Sequence, residues 1–221
     1  MTKVPASPAK FNPVELKLYR GLVVCLLLLV TSGALSIPFI YESQTLWYKV
    51  GIDRTMLRGG QMAGLLTSIL LFVQILLAAR GSFLKELFGI AALMQWHRVN
   101  GIIVSFFALC HVFLVLAPEG MANLPIGIKY WPEIVGSLLL WIILSMVISS
   151  QFRQKLGLDY KRWRKIHKPL GYLVIIFLAV HVSFVSDSFE QIVPRVALFT
   201  TLGCVLVAVL LSKRTPGQPT L

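Results

Sequence analysis

The four histidines of this chain form two pairs with identical spacing. Fourteen positions separate His97 from His111, and the same number separates His167 from His181. Along an α-helix, fourteen residues end about 40° short of four full turns and rise about 21 Å. Each pair therefore places two imidazoles on nearly the same helix face at two well-separated heights. A neutral imidazole nitrogen is a good ligand for iron, so the pattern indicates metal chemistry.

The histidines lie in segments that the composition marks as membrane helices. Of the 221 residues, 57% are hydrophobic and 14% are charged, whereas soluble domains average about 45–50% and about 25%. Six apolar windows reach the length of about 20 residues that spans a bilayer: 21–41, 60–79, 94–117, 133–150, 169–186 and 192–212. The period-two alternation of a lipid-facing strand is absent. The sequence predicts an all-α membrane protein, a bundle of six transmembrane helices.

Lysine and arginine are concentrated on one side of these spans. Sixteen of the 21 fall before the first span, in the second and fourth connections, or after the last span. These are Lys3, Lys10, Lys17, Arg20, Arg80, Lys85, Arg98, Arg153, Lys155, Lys161, Arg162, Arg164, Lys165, Lys168, Lys213 and Arg214. The positive-inside rule then predicts that both termini are cytoplasmic. The same bias accounts for the net charge of +12, so we do not expect nucleic-acid binding.

With both termini inside, the third and fifth spans run outward in parallel. Equal spacing then puts His97 level with His167, the inner pair, and His111 level with His181, the outer pair. One imidazole from each helix can bind the two axial positions of a haem iron. The pattern predicts two haems between the third and fifth helices, with the inner pair on one iron and the outer pair on the other.

Both helices also share a glycine in the pattern His-x3-Gly-x9-His. Gly101 follows His97 by four residues, and Gly171 follows His167 by four. Residues four apart lie on one helix face, and a glycine there leaves room for a large ring against the backbone. The residues between the two heights on that face are small or apolar: Val104, Ala108, Val174 and Leu178.

Other roles for the histidines fit the pattern less well. A single intramembrane histidine can simply bond a neighbouring helix, but two matched pairs favour function. A separation of about 21 Å prevents one zinc or copper ion from binding all four. A proton relay would have no intramembrane carboxylate to work with. The inner pair requires His167 to be helical, so we predict a helix that starts near Asp159 and continues through Pro169.

Two stretches resemble the ferric reductase-like transmembrane family. This family includes the membrane cores of NADPH oxidases and ferric reductases, and the haem subunit of the periplasmic methionine-sulfoxide reductase system. The stretch LMQWHRVNGIIVSFFALCHVF carries His-Arg-x-x-Gly and a second histidine. The stretch LDYKRWRKIHKPLGYLVIIFLAVHV carries Trp-Arg-x-x-His, then Tyr172, then a second histidine. With the six spans, the likeness covers about residues 15–212.

The resemblance implies electrons that enter from a cytosolic flavin and leave on the far side of the membrane. Oxidases and ferric reductases of the family usually carry flavin and nicotinamide domains after the last span, whereas nine residues follow Ser212 here. We therefore expect FMN or FAD on a separate cytosolic flavin reductase or flavoprotein, or at the cytoplasmic face. We also expect surrounding membrane lipid, a periplasmic or other extracytoplasmic acceptor protein, and a place in the bacterial inner membrane.

The basic residues near the inner pair have two interpretations. Arg98, Arg164 and Lys168 are candidates for binding haem propionates, or they are ordinary cytoplasmic anchors. The seven basic residues within 153–168 could dock an acidic flavoprotein, or reflect the positive-inside bias alone. We predict no catalytic residue, because no acid–base or nucleophilic constellation is present. Gly59 and Gly60 are interpreted as a turn or a helix start.

The sequence predicts a dihaem b-type cytochrome, the electron-transfer subunit of a transmembrane oxidoreductase. The expected organisation is a cytoplasmic segment 1–20, the six-helix domain 21–212 and a cytoplasmic tail 213–221. Two alternatives stay open. One is a haem-free six-helix transporter or assembly protein whose histidines only pack, and the other is a quinone-linked b cytochrome.

Overall fold

The chain folds into long helices joined by short connections. The computed structural model describes residues 11–120, 124–125 and 127–214. These residues form α1 (Pro13–Ile40), α2 (Gln44–Trp47), α3 (Gly51–Ala79), α4 (Ser82–Phe88), α5 (Ile90–Leu116), α6 (Trp131–Gln151), α7 (Tyr160–Val185) and α8 (Ile192–Arg214). Short 3₁₀ segments lie at Ala117–Glu119, Ile128–Tyr130 and Asp187–Glu190.

Six of the helices, all but α2 and α4, are long and apolar enough to cross a membrane. This confirms the predicted all-α architecture, with α5 as the third span and α7 as the fifth. Large apolar side chains cover the outside of the bundle, for example Leu29, Phe113 and Trp141. Such a surface belongs in lipid, so the chain is an integral multi-pass membrane protein.

The first helix begins eight residues before the predicted span because polar residues cap it. The Asn12 side-chain oxygen accepts a hydrogen bond from the Glu15 N–H at 2.9 Å, and Glu15 accepts one from the Asn12 N–H at 2.8 Å. This capping box satisfies backbone donors at the helix start, where Pro13 fits the first turn. The helix therefore includes polar residues that a hydropathy window excludes.

The interpretation of Gly59 and Gly60 as a turn or helix start was wrong. Both lie inside α3, which begins at Gly51. A Cβ on Gly60 would lie 2.8 Å from Val115 Cγ2 and 3.1 Å from the Val115 backbone nitrogen. Gly60 is therefore needed for the close approach of α3 to α5, and not for a change of chain direction.

The predicted start of α7 is confirmed. Asp159 is the N-cap, and its carboxylate accepts hydrogen bonds from the N–H groups of Lys161 at 2.9 Å and Arg162 at 3.4 Å. The helix continues through Pro169. His167 and His181 therefore lie on one helix, as the spacing argument requires.

The helices pack as two main pairs, with α3 on α5 and α6 on α7. A midspan core joins the pairs and includes Phe72, Val104, Ile143, Leu178 and Val205. All four residues predicted to lie between the two histidine heights are buried. Because α5 and α7 belong to different pairs, His111 and His181 meet across the junction between the pairs.

Candidate metal centre

The outer pair, His111 and His181, meets across the bundle. The two imidazole rings have centroids 6.3 Å apart, with their planes at 76°. Two metal–nitrogen bonds of about 2 Å each, together with the radii of the two rings, span about 6 Å. The separation therefore fits one metal ion bound between the rings.

Hydrogen bonds to backbone carbonyls orient both rings of the outer pair. His111 Nδ1 lies 2.8 Å from the Gly60 carbonyl oxygen, and His181 Nδ1 lies 2.8 Å from the Pro132 carbonyl oxygen. A carbonyl only accepts, so each Nδ1 carries the hydrogen and each neutral ring keeps a lone pair on Nε2. Metal-binding histidines are typically held in this way.

Two glycines make room for these rings. A Cβ on Gly64 would lie 2.8 Å from His111 Nδ1, and a Cβ on Gly136 would lie 2.7 Å from His181 Nδ1. Each glycine follows the carbonyl-bearing residue by four positions, Gly64 after Gly60 and Gly136 after Pro132. Hence α3 holds His111 and α6 holds His181 by the same arrangement, which the sequence analysis missed.

The outer pair lines a cleft with a cavity volume of about 110 Å³. The lining is mostly apolar and comes from α1, α3, α5, α6, α7 and the segment after α7, including Pro38, Leu71, Ala108, Leu139 and Phe189. Gly64 and Gly136 also border it. The two rings therefore share one cleft with apolar surroundings.

The inner pair is arranged differently. The His167 ring stacks on Trp163, with ring centroids 4.5 Å apart and planes at 32°. Trp163 and His167 line a small cavity of about 70 Å³ at the α6–α7 side, and His97 is not among the residues that line it. The structure thus brings the two outer rings to one shared cleft, while His167 lines a separate cavity.

Two amide residues that the sequence analysis missed lie near His97: Gln74 contacts it, and Asn100 bonds Gln74. Gln74 Nε2 donates to the His97 carbonyl oxygen at 2.9 Å and lies 3.4 Å from His97 Nε2. Asn100 Nδ2 donates to Gln74 Oε1 at 2.7 Å and to the Leu70 carbonyl oxygen at 2.9 Å. Their signal in the sequence was the presence of two amides inside apolar spans, where polar residues favour a functional role.

The other predicted site residues have mixed surroundings. A Cβ on Gly171 would meet no atom within 4 Å, whereas one on Gly101 would lie 3.3 Å from Gln74 Nε2. Arg98, Arg164 and Lys168 are exposed. Their predicted roles toward a haem stay predictions.

A polar cluster lies beside the cleft, in the connection between α1 and α3. Glu42 accepts hydrogen bonds from Arg54, at 2.7 Å, and from Arg58. The bond from Arg54, with the charge of both guanidinium groups, holds the pKa of Glu42 below its ordinary value. Gln61, which borders the cleft, donates to Ser43 Oγ at 2.9 Å. This cluster joins the connection to the start of α3.

Comparison with known proteins adds one match. The family described as ferric reductase like transmembrane component matches residues 63–178, just over half of the chain. The matched stretch contains His97, His111 and His167 and stops before His181. None of the curated proteins and none of the solved structures matches the chain. The family match and the six membrane-crossing helices agree, and the chain belongs to the ferric reductase-like transmembrane family.

Proposed function

We propose that this protein is a dihaem b-type cytochrome subunit. It would carry electrons across the membrane from a cytosolic flavin donor to an acceptor on the outer side. The family and the six spans support a membrane electron-transfer component. The observation that carries the haem assignment is the outer pair, two oriented imidazoles 6.3 Å apart on a shared cleft.

The chemistry of the outer pair fits a haem better than a bare ion. Structural metal sites usually supply four protein ligands. Within the described parts of the chain, no three His, Cys, Asp or Glu side chains group around one point. Two opposed imidazoles suit an iron whose other four positions belong to a macrocycle. His111 and His181 would hold this haem. Gly64 and Gly136, which lack a side chain, leave space for the two imidazole rings.

His97 and His167 would hold the second haem. The His97 Nδ1 atom lies 3.3 Å from the Gln74 main-chain carbonyl oxygen, so Nε2 would be the nitrogen that binds iron. Gly171 borders open space and Gly101, one turn after His97, borders Gln74, and both are proposed to lie near this haem. Arg98, Arg164 and Lys168 would bind its propionates, since guanidinium and ammonium groups pair with carboxylates. When bound, each haem would accept and release single electrons.

The cytoplasmic end would receive the electron donor. Six of the seven basic residues within 153–168 are exposed: Lys155, Lys161, Arg162, Arg164, Lys165 and Lys168. A positive surface of this kind attracts an acidic partner and speeds its encounter. We propose that FMN or FAD is bound by a cytosolic flavin reductase or flavoprotein that docks here. The acceptor would be an extracytoplasmic protein. The chain itself would lie in a bacterial inner membrane.

Reduced-minus-oxidised absorption spectroscopy of the purified chain in lipid nanodiscs tests this proposal. We expect a b-type haem difference spectrum, and reduction by NADH only when FMN and a soluble flavin reductase are added. Absence of any haem band would favour a haem-free transporter or assembly protein. Reduction by a short-chain quinol, with none through the flavin, would identify a quinone-linked cytochrome.

A further inference from the structure

Gln74 and Asn100 form one polar unit between α3 and α5. Asn100 is buried, and its amide nitrogen bonds both the Gln74 side chain and the Leu70 carbonyl oxygen. With its oxygen held by Asn100, the Gln74 amide points its nitrogen at His97. Both amides are bonded to protein groups, and these partners set their geometry.

This unit contacts His97 at three points. The Gln74 carbonyl oxygen accepts from His97 Nδ1 at 3.3 Å, and the Gln74 amide donates to the His97 carbonyl oxygen at 2.9 Å. The third contact, between Gln74 Nε2 and His97 Nε2, is long at 3.4 Å. The backbone at His97 is thus held by a bond of ordinary length, while the contacts to its two ring nitrogens are both long.

Gly101 permits this arrangement. Its absent Cβ would lie 3.3 Å from Gln74 Nε2, so a side chain there would press on the amide. The glycine one turn after His97 therefore leaves room for Gln74. Ordinary interhelical hydrogen bonding would need only the Asn100–Leu70 bond. The additional contacts join Asn100 to Gln74 and Gln74 to His97.

We propose that Gln74 and Asn100 are positioning residues that orient His97 as a ligand of the inner haem. This inference rests on the proposed function, because it takes His97 to be an iron ligand. The Gln74 side-chain amide holds the backbone of α5 at His97, Asn100 holds that amide in place, and the Gln74 main-chain carbonyl lies next to His97 Nδ1. Iron bound at His97 Nε2 would replace the long contact from Gln74 Nε2.

The test uses two backgrounds that each isolate one haem. His111→Ala leaves the inner haem, and His97→Ala leaves the outer haem. In the His111→Ala background, Gln74→Leu keeps the Gln74 main-chain carbonyl near His97 Nδ1 and removes the side-chain bond to the His97 carbonyl oxygen. It should weaken haem binding by up to about tenfold, the effect of losing one hydrogen bond. It should also change the low-spin electron paramagnetic resonance signal of that haem. In the His97→Ala background the same substitution should leave the remaining haem unchanged.

Two further variants complete the test. Asn100→Ala removes the bond to Gln74 and should change the electron paramagnetic resonance signal of the inner haem in the same direction. If Gln74→Leu does not fold, Asn100→Ala tests the positioning role in its place. Because the two amides act together, the double variant should be little worse than Gln74→Leu alone. Ser105→Ala is the matched control, since this buried hydroxyl on α5 bonds only the Gly101 carbonyl oxygen of its own helix.

The outcomes separate this inference from the proposed function. An unchanged inner haem in both Gln74→Leu and Asn100→Ala would overturn the positioning role and leave the dihaem proposal intact. Equal losses of haem in both backgrounds would overturn it too, since they would indicate helix packing. A wild-type protein without haem would overturn the proposed function, and this inference with it.

Discussion

At the scale of residues, the outer pair depends on backbone atoms as much as on the histidines. Each ring donates Nδ1–H to the carbonyl of one residue on the facing helix and lies over a glycine four residues later. A helical carbonyl points toward the following turn. A ring that bonds it must occupy the space where a side chain at that turn would stand. This explains why Gly64 and Gly136 accompany Gly60 and Pro132.

Gly136→Ala should selectively weaken the outer haem. The new methyl group would press on the His181 ring and displace it from the Pro132 carbonyl oxygen. We expect outer-haem affinity to fall about 10–100-fold, measured by haem titration in the His97→Ala background. Gly203→Ala is the control, because a Cβ there meets no atom within 4 Å. Undiminished outer-haem binding in Gly136→Ala would contradict the account.

The sequence predicted the histidine pairs but not the residues that hold them. Helical periodicity places His111 and His181 at one height, and the ring contact agrees. The roles of Gly64, Gly136 and Gln74 depend on how α3 and α6 cross α5 and α7, which no local pattern encodes. For the same reason Gly60 was mistaken for part of a turn, although its neighbour is the Val115 backbone.

At the scale of elements, polar caps decide where the histidine helices begin. The predicted α7 start at Asp159 was correct because an acidic N-cap is a strong local signal. The predicted start of α1 was late because the capping box lies in a polar stretch. Hydropathy therefore locates spans well, while capping chemistry sets their ends.

Asp159→Ala should destabilise the start of α7 by about 1 kcal/mol, the usual cost of losing an N-cap. Because His167 lies two turns later, we expect lower affinity for the inner haem together with a lower melting temperature. Asn12→Ala removes a comparable cap from α1, which carries no histidine. It should lower the melting temperature without changing inner-haem affinity. Equal haem loss in both variants would argue against a local effect.

The connection between α1 and α3 should make stability depend on pH through Glu42. Its pKa is lowered in the folded protein by Arg54 and Arg58. A lowered carboxyl pKa stabilises the fold above the unfolded value of about 4.3, and this stabilisation is lost as pH falls through the folded pKa. Melting temperatures of wild type and Glu42→Gln should therefore differ at pH 7 and converge under acidic conditions. A difference that is the same at pH 7 and pH 3 would refute this role.

At the scale of the whole molecule, two helix pairs enclose the proposed path across the membrane. The α3–α5 and α6–α7 pairs each contribute two of the four histidines. The outer cleft opens where the pairs meet, and an apolar core separates it from the inner pair. The direction of electron flow then depends on which end faces the cytoplasm.

Reporter fusions in bacterial cells test the predicted orientation. A fluorescent protein fused after Leu221 should fluoresce, because basic residues on that side favour the cytoplasm. Alkaline phosphatase fused after Gly120, beyond the outward end of α5, should be active. The opposite pattern in both fusions would invert the predicted topology and move the basic surface of 153–168 away from any cytosolic donor.

The haem-to-protein ratio of the wild type and of four single variants decides whether each histidine pair binds one haem. The variants are His97→Ala, His111→Ala, His167→Ala and His181→Ala. We expect two haems per chain in the wild type and one in each variant, and the two variants of one pair should lose the same haem spectrum. A wild-type protein without haem, or His111→Ala and His181→Ala proteins that keep both haems, would contradict it.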